Sequence, residues 1–565
     1  MDAEWWKSAV VYQIYPRSFA DGDGDGVGDL RGIIDHLGHV AGLGVDVLWL
    51  SPIYRSPMDD MGYDISDYDD VDPIFGTLAD LDELIEAVHA RGMKLVMDLV
   101  VNHTSDEHAW FQASRDKASD KRDWYVWAPA RPGLEPGAPG AEPTNWGSFF
   151  GGSAWQFDEA SGEYYLHLFS RKQPDLNWEN PEVRAAVYAM MRRWVERGVD
   201  GFRMDVINLI SKTYPLTDGA VAEGSTLSFE VERIINGPRL VEFLEEMNRE
   251  VGLSEKGLFT VGEMILVDPA HAREYTSAQQ QRLNMVFTFE HMSLDQTGPD
   301  KFNYRRVHLP DLKRNLAAWQ EGLADDGWNS LYWDNHDQPR VVSRFGDDSP
   351  AHRVASAKTL ATVLHLHRGT PYVYQGEELG MTNAGLTRIE DYRDIEAINY
   401  YAEAVAGGAD PEVVLDGLRF RSRDNARTPM CWTDGPLAGF TTGTPWLPVN
   451  GNFREINAAA QVDDPASVYA HYRALIELRH TNEVVREGRF ELLLPDDERL
   501  WVFTRRVGPN GLLVVANVSS EVVGVPIQEL PALDTARLLL TSRPESADDL
   551  QTLEPWESRV YALRF

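Results

Sequence analysis

The sequence predicts an α/β chain built on a (β/α)8 barrel, with a loop-rich subdomain inserted after the third strand and an all-β domain at the C-terminal end. Three observations predict this. Eight short apolar runs alternate with amphipathic helical patterns, the rhythm breaks once between residues 104 and 174, and from about residue 487 only short β runs remain. Strand–helix–strand spacing of this kind implies right-handed crossovers and a parallel sheet, and eight strands close it into a barrel. The domain organisation expected is 1–103 and 175–486 for the barrel, 104–174 for the insert and 487–565 for the C-terminal domain, a small β-sandwich.

Val10 to Tyr15 and Val45 to Leu50 read as the first two strands, because both are apolar and rich in β-branched and aromatic residues. Between them Ile33, Leu37, Val40 and Ala41 recur at helical spacing, and Leu78, Leu81, Leu84, Ile85 and Val88 mark a second helix that stops near Gly92. Lys94 to Leu99 is strand three. The segment 104–174 has no clean alternation and contains Pro132-Gly133 and Pro136-Gly137, so it is too long for a simple loop and reads as an inserted subdomain. A helix from Val183 to Arg197 restores the rhythm and leads into Gly201 to Asp205. Leu258 to Gly262, Asn284 to Phe289, Ser330 to Trp333 and Pro371 to Tyr374 complete the eight. Leu500 to Phe503, Leu512 to Ala516 and Val560 to Leu563 are β runs of the last domain.

Composition narrows the partners. The 565 residues carry 53 Lys and Arg against 89 Asp and Glu, a net charge of −36, which argues against nucleic acid or an anionic membrane as partner. The one cysteine, Cys431, excludes internal disulfides and suits a reducing compartment. The N-terminus Met1-Asp2-Ala3-Glu4-Trp5-Trp6 has no apolar export signal and no 18-residue apolar run follows, so a cytoplasmic protein is expected, acting as a monomer.

In a (β/α)8 barrel the working side chains sit at the C-terminal ends of the strands. Those ends supply Asp98 with Asn102 and His103, Arg203 with Asp205, Glu263, and Asn335-His336-Asp337. Buried carboxylates are costly, so acids at four strand ends call for a functional explanation. Converging carboxylates without a Cys/His cluster suggest glycoside chemistry, in which one carboxylate attacks the anomeric carbon and a second, kept protonated, gives its proton to the leaving oxygen. Alternation along the strand puts Arg203 and Asp205 on one face, so the guanidinium is expected to keep Asp205 ionised as a nucleophile. Glu263 follows the apolar run Leu258 to Val261 and is flanked by Met264, a setting expected to raise its pKa as a general acid needs. Asp337 is left to bind and distort the sugar, and His103 and His336 to donate to its hydroxyls.

These blocks, Asp98-Leu99-Val100-Val101-Asn102-His103, Gly201-Phe202-Arg203-Met204-Asp205, Gly262-Glu263-Met264 and Asn335-His336-Asp337, resemble in order and spacing those of the α-amylase superfamily of glycoside hydrolases. The likeness is greatest to its oligo-1,6-glucosidase and dextran glucosidase branch. Flanking matches run from about Trp6 to Arg479 and include Gln173-Pro174-Asp175-Leu176-Asn177-Trp178 and Arg423-Asp424-Asn425-Ala426-Arg427. The resemblance implies a retaining double displacement with Asp205 as nucleophile, Glu263 as acid/base and Asp337 as stabiliser. It implies a glucose pocket lined by Asp60, Tyr63, His103, Phe150, Phe169, Gln173, Arg203, His336 and Arg423, whose floor is closed by Asp60 and Arg423, so that the enzyme removes one glucose at a time from a small oligosaccharide. It also implies that Val206, after the nucleophile, favours α-1,6 over α-1,4 bonds by narrowing the acceptor site, with Lys301 and Glu396 as further acceptor contacts. Cys431 stands where relatives usually carry Gln, and Asp334 where many carry Asn.

Asp21-Gly22-Asp23-Gly24-Asp25-Gly26-Val27-Gly28-Asp29 has the alternating acids of a calcium loop, although Gly32 stands where an EF-hand carries its bidentate Glu. Relatives bind Ca2+ here, which implies Asp21, Asp23, Asp25, Asp29 and the Val27 carbonyl as ligands of a structural ion and no cofactor for catalysis. The expected activity is hydrolysis of isomaltose, panose and isomalto-oligosaccharides. The alternatives are a broad, α-1,4- or sucrose-acting α-glucosidase, a sucrose isomerase and, more remotely, a trehalose synthase or an inactive scaffold subunit like the transporter heavy chains of this fold. Sucrose isomerases carry Arg-Leu-Asp-Arg-Asp after strand six, where this chain reads Ser293-Leu294-Asp295-Gln296-Thr297.

Overall fold

Eight parallel strands form the centre of the molecule. In chain order they are β1 (Val11–Ile14), β2 (Val47–Leu50), β3 (Lys94–Val100), β4 (Gly201–Asp205), β5 (Phe259–Glu263), β6 (Met285–Phe287), β7 (Ser330–Leu331) and β8 (Thr370–Tyr374). The computed structural model describes residues 4–229, 231–298, 300–531, 536–544 and 551–565; Met1 to Ala3 of the acidic N-terminus lie outside them. The strands pair in the order β6-β5-β4-β3-β2-β1-β8-β7, and a parallel bridge between Val286 and Asn329 joins the last to the first. The sheet is therefore a closed barrel, as expected. Helices cover its outside and side chains fill its inside, so nearly every strand residue is buried, which is why the strands read as continuous apolar runs and not as alternating ones.

Two local features fix the strand that carries the first acid. The helix Pro181–Arg197 starts with Asn180 accepting the Glu182 N–H at 2.9 Å and Pro at its first position, and it ends before Gly198, so β4 begins where the pattern predicts. Gly201 opens β4 because a Cβ there would lie 2.1 Å from the Phe259 carbonyl of β5. Only glycine lets the two strands pair at this point.

Between β3 and the helix Pro181–Arg197 the chain makes its excursion. It contains a three-stranded antiparallel sheet of Trp127–Ala128, Glu163–Leu166 and Trp155–Asp158, with Glu163–Leu166 in the middle. An antiparallel bridge between His103 and Asp175 brings its two ends together. Its apolar residues Val126, Trp146, Trp155 and Leu166 pack with Val206, Leu209, Ile234 and Ile235 from the loop after β4. The excursion is thus fastened over the C-terminal rim of the barrel, beside the strand-end acids.

The C-terminal part is a five-stranded antiparallel sheet, in the order Arg489–Leu493, Leu500–Val507, Asn510–Asn517, Ser558–Arg564 and Arg537–Thr541, with a two-stranded ribbon of Val523–Gly524 and Thr552–Leu553. Alternation decides what each face covers. Trp501, Phe503, Leu512 and Val514 join the barrel's core, whereas Leu500, Val502, Leu513 and Val515 pack under the ribbon residues Val523 and Leu553. Lys313, on the helix Leu309–Gly322, is buried and gives its Nζ hydrogens to the carbonyls of Leu494, Asp497 and Leu500 at 2.6–2.9 Å. That single ammonium ties the sheet to the barrel.

One excursion was not legible in advance. After β8 the chain runs through two helices, Ile395–Ala406 and Pro411–Arg421, before it reaches Arg423. This helical pair brings Asp394, Glu396 and Arg423 over the rim.

Candidate active site

Arg203 is the hub of the site. It projects from β4 into the barrel, 1% exposed, and its planar guanidinium cannot lose its charge there. Nη1 donates to Asp98 Oδ1 and to Asp205 Oδ1, both at 2.6 Å, and Nη2 lies 2.8 Å from Glu263 Oε2. One guanidinium therefore holds three strand-end carboxyls, from β3, β4 and β5. Trp49 Nε1 donates to the other oxygen of Asp98 at 2.9 Å. Burial raises the Asp98 carboxyl to about 6, and Arg203 works against that rise.

For Asp205, burial works against the expectation from the sequence. Burial raises Asp205 well above the usual carboxylate range, with Glu263 and Asp98 adding to the rise and Arg203 opposing it. Arg203 was expected to keep Asp205 ionised; desolvation outweighs it, because the same guanidinium is shared by three acids. Glu263 was expected in apolar surroundings, but its Oε2 turns to Arg203 and accepts the Val206 N–H at 3.1 Å. Asp205 and Glu263 thus meet at one guanidinium, each held by a different nitrogen of it.

Val206 follows β4 with φ 36° and ψ 40°, in the left-handed region that β-branched residues avoid. It is not a strand residue. Its side chain leaves the barrel core and joins the excursion's apolar cluster, and its amide points back at Glu263.

Asp337 is the third acid, and its side chain is 26% exposed, open to solvent where Asp205 and Glu263 are nearly buried. Arg427 Nη2 donates to its Oδ1 at 2.6 Å, Arg423 Nη1 reaches the same oxygen at 3.3 Å, and His336 Nε2 lies 3.3 Å from Oδ2. Burial opposes ionisation at Asp337, but His336, Arg423 and Arg427 overcome it and hold the carboxyl below its usual range. His336 is itself pushed down to about 3 by burial, so near neutral pH the two guanidiniums are the charges that count. Gln13 Nε2 donates to His336 Nδ1 at 2.8 Å, which leaves the ring hydrogen on Nε2, facing the Tyr63 hydroxyl at 2.6 Å. Tyr63 stacks on His336 with ring centres 5.3 Å apart, and Tyr15 stacks on its other face at 5.8 Å.

Asp60 and Arg423 meet as an ion pair. Arg423 Nη2 lies 3.2 Å from Asp60 Oδ1, and Gln173 Nε2 donates to Asp60 Oδ2 at 3.1 Å. Burial raises Asp60 to about 7 against the pull of Arg423. His103 sits beside them: its Nε2 donates to the Tyr63 carbonyl at 3.2 Å, its ring meets Phe169 at 5.2 Å, and burial lowers it to about 4. Both histidines are thus neutral donors near pH 7. Phe150 lies over the Arg423 guanidinium at 5.0 Å and against Phe169. All the pocket residues expected from the sequence fall into this one network, and Val206 borders it.

Three residues carry weight that the sequence reading did not give them. Asp394 Oδ1 accepts from Arg423 Nε at 3.0 Å and Nη2 at 2.6 Å and so aims that guanidinium. Arg427 is the nearest cation to Asp337. Tyr15 completes the stack around His336. Arg427 stood inside a quoted motif, but nothing in a linear motif says which carboxylate it meets. Lys301 and Glu396, expected at the acceptor side, are ion-paired to each other, and Glu396 Oε2 lies 3.7 Å from Arg423 Nε.

The acidic loop is a separate place. Oxygens of Asp21, Asp23 and Asp29 lie within 4.8 Å of one another, the span of two Ca–O bonds in line. Gly26, with φ 102°, lets the loop pass so close to Thr444 that a Cβ would lie 1.8 Å from its carbonyl. Asp25 Oδ1 accepts the Val27 N–H at 2.8 Å, as the other three aspartates accept backbone N–H groups of the same stretch. Val27 is half-buried with its side chain against the barrel core. Three of the four expected aspartates form a hard-oxygen set that fits a calcium ion.

The alpha-amylase catalytic-domain family model matches residues 13–488. The oligo-1,6-glucosidase of Parageobacillus thermoglucosidasius is 53% identical over 572 aligned positions that span all of both chains. Among solved structures, the trehalose-6-phosphate hydrolase of Bacillus licheniformis superposes with a TM-score of 0.92 at 45% identity, covering 99% of this chain and 100% of that one. A mutant isomaltulose synthase of Erwinia rhapontici NX5, in complex with sucrose, does so with 0.92 at 39% identity, covering 99% of each chain. With the barrel closed, the acids gathered at its rim and these likenesses covering the whole length, the chain belongs to the α-amylase family of glycoside hydrolases.

Proposed function

We propose that this chain is an exo-acting, retaining α-glucosidase that releases non-reducing-end glucose from α-1,6-linked isomaltose, panose and isomalto-oligosaccharides. One observation carries the reaction type: a single guanidinium spans Asp205 and Glu263 at 2.6 and 2.8 Å. Carboxyls gathered at one guanidinium are too close for the ~6.5–9.5 Å separation that inverting enzymes need to admit a water, and match double displacement instead.

In the first step Asp205 bonds to the anomeric carbon, the glycosidic C–O bond breaks, and Glu263 gives its proton to the leaving oxygen. The step needs Asp205 ionised and Glu263 protonated, so Asp205, whose pKa burial raises, gives up its proton before it attacks. In the second step Glu263 takes a proton from water, whose oxygen bonds to the anomeric carbon and frees Asp205. Asp337, held ionised, faces the positive charge that grows on the sugar ring. Asp60, Arg423, Tyr63, His103, Gln173 and His336 hold the terminal hydroxyls, and the closed floor limits the product to one glucose. Val206 at the acceptor edge, and the 53% identical relative's name, support the α-1,6 preference.

The sucrose-isomerising alternative loses support after β6. There Asp295 is committed to Arg344 and Arg421, and Gln296 turns its amide to the Gly298 carbonyl. We also place a structural Ca2+ at Asp21, Asp23 and Asp29, where it neutralises three clustered carboxylates, and no cofactor at the acids. A small oligosaccharide as partner, a monomeric state and a cytoplasmic location complete the reading; no helix among the described residues is long and apolar enough to cross a membrane. The test is to supply isomaltose, panose, maltose, sucrose, trehalose and trehalose 6-phosphate separately and to follow products by NMR. Isomaltose turned over fastest, to glucose alone, is expected. Trehalulose or isomaltulose from sucrose, or trehalose 6-phosphate as the preferred substrate, would overturn the assignment.

A further inference from the structure

We propose that Asp334 and Glu377 share one proton and that this bond positions the Asn335-His336-Asp337 turn. The inference rests on the reading of Asp337 given above. Asp334 lies at the end of the segment after β7, directly before the turn, and is 2% exposed. Glu377 lies in the turn after β8 and is 1% exposed. Each has one oxygen satisfied: Asp334 Oδ2 accepts the Val341 N–H at 2.8 Å, and Glu377 Oε1 accepts the Tyr472 hydroxyl at 2.6 Å. Each has one oxygen with no donor, Asp334 Oδ1 and Glu377 Oε2. The two side chains are nonetheless hydrogen-bond neighbours. Two buried acceptors facing each other are tolerable only if one carries a hydrogen, and a single proton satisfies both orphans at once.

The surroundings favour keeping that proton. Glu378 adds a third buried carboxylate, whose Oε1 accepts from Tyr12 on β1 and His39 on the helix Leu30–Leu43, both at 2.8 Å. Tyr374 on β8, Tyr469 and Tyr472 on the helix Val468–Thr481, His365 against Tyr472 and the buried thiol of Cys431 are further titratable groups nearby. Arg340 is the nearest cation; its Nη1 and Nη2 donate to the carbonyls of Gln375 and Ala426, and its Nε meets no acceptor. Burial and Asp334 together raise Glu377 well above the carboxylate range; burial raises Asp334 also, against Arg340. The held proton locks the ends of β7 and β8 together, and the neighbouring turn keeps its shape because Asn335 Oδ1 accepts the Asp337 N–H at 2.8 Å. Loss of the proton at high pH leaves two facing carboxylates and releases the turn.

The sign follows from linkage. The folded state binds a proton that the unfolded chain has lost, so this bond adds stability at low pH and loses it as pH rises through the raised value. Glu377→Gln and Asp334→Asn supply an amide hydrogen in its place and remove the pH dependence; Asp334→Ala supplies none. The experiment measures kcat and Tm against pH for the full chain and these variants, with the infrared spectrum of each. Expected are a protonated-carboxyl C=O component in the difference spectrum between the wild type and Glu377→Gln, a kcat lowered roughly tenfold or more in Asp334→Ala but recovered in Asp334→Asn, and an alkaline fall of kcat and Tm that both amide variants flatten. Absence of that component from the wild-type minus Glu377→Gln difference refutes the shared proton whatever Asp337 does. A band present with wild-type and amide-variant pH profiles that superpose refutes the positioning role.

Discussion

The amide of Val206 donates to Glu263 Oε2 at 3.1 Å from a backbone held at φ 36°. A left-handed β-branched residue costs roughly 1–3 kcal/mol, and such strain persists where the surroundings over-determine it. The Val206 side chain packs in the excursion's cluster while its amide holds Glu263, so in the proposed mechanism linkage preference and proton transfer would meet at one residue. Val206→Thr is expected to raise kcat/KM for maltose relative to isomaltose by up to roughly tenfold, since methyl-scale contacts discriminate by ~1–3 kcal/mol. An unchanged ratio refutes the role of the side chain.

Arg423 joins Asp60, Asp337 and Asp394 with one fork. Arg423→Lys keeps the charge but cannot meet all three, and breaking a buried pair costs ~3–5 kcal/mol. The expected loss is roughly 10²-fold or more in kcat/KM for isomaltose, with Asp394→Asn giving a smaller loss through misaimed Arg423. Steady-state kinetics of both variants check this, and a wild-type Arg423→Lys contradicts a gripping floor.

Asp60 exchanges stability for binding. Its carboxyl is raised to about 7, so the folded protein binds a proton there that the unfolded chain has already lost, and stability falls as pH rises from about 4 to about 7. Asp60→Asn is therefore expected to melt higher than the wild type by roughly 2–4 °C at pH 7 and by less at pH 4, while its KM for isomaltose rises. A Tm difference independent of pH contradicts the assignment.

Calcium added to chelated protein is expected to raise Tm by several degrees with kcat unchanged, because an ion bound only by the folded state stabilises by mass action. Asp23→Ala should abolish that rise. The melting curve of the chelated wild type, unmoved by millimolar calcium, would remove the proposed ion.

Much of this was legible in the sequence, for identifiable reasons. Parallel strands buried on both faces must be apolar throughout, so Val96 to Leu99 or Thr260 to Gly262 announce themselves, and a barrel places its chemistry at strand ends. Where the strands stop was less legible: Glu263 is the last residue of β5, one beyond the apolar run. What the sequence could not show depends on direction and on distant neighbours. The apolar run before Glu263 suggested a desolvated acid, yet its carboxylate turns to Arg203. Val206 has the composition of a strand residue and a left-handed backbone imposed by tertiary packing. Asp394 lies 29 residues from Arg423 and meets it only because two intervening helices fold back over the rim.

The central claim is that Asp205 and Glu263, gathered on one guanidinium, carry out a double displacement. The most direct measurement is the anomer of glucose first released from isomaltose, followed by proton NMR before mutarotation. The account predicts α-glucose. β-Glucose as the first product would mean single displacement by water, and would contradict it.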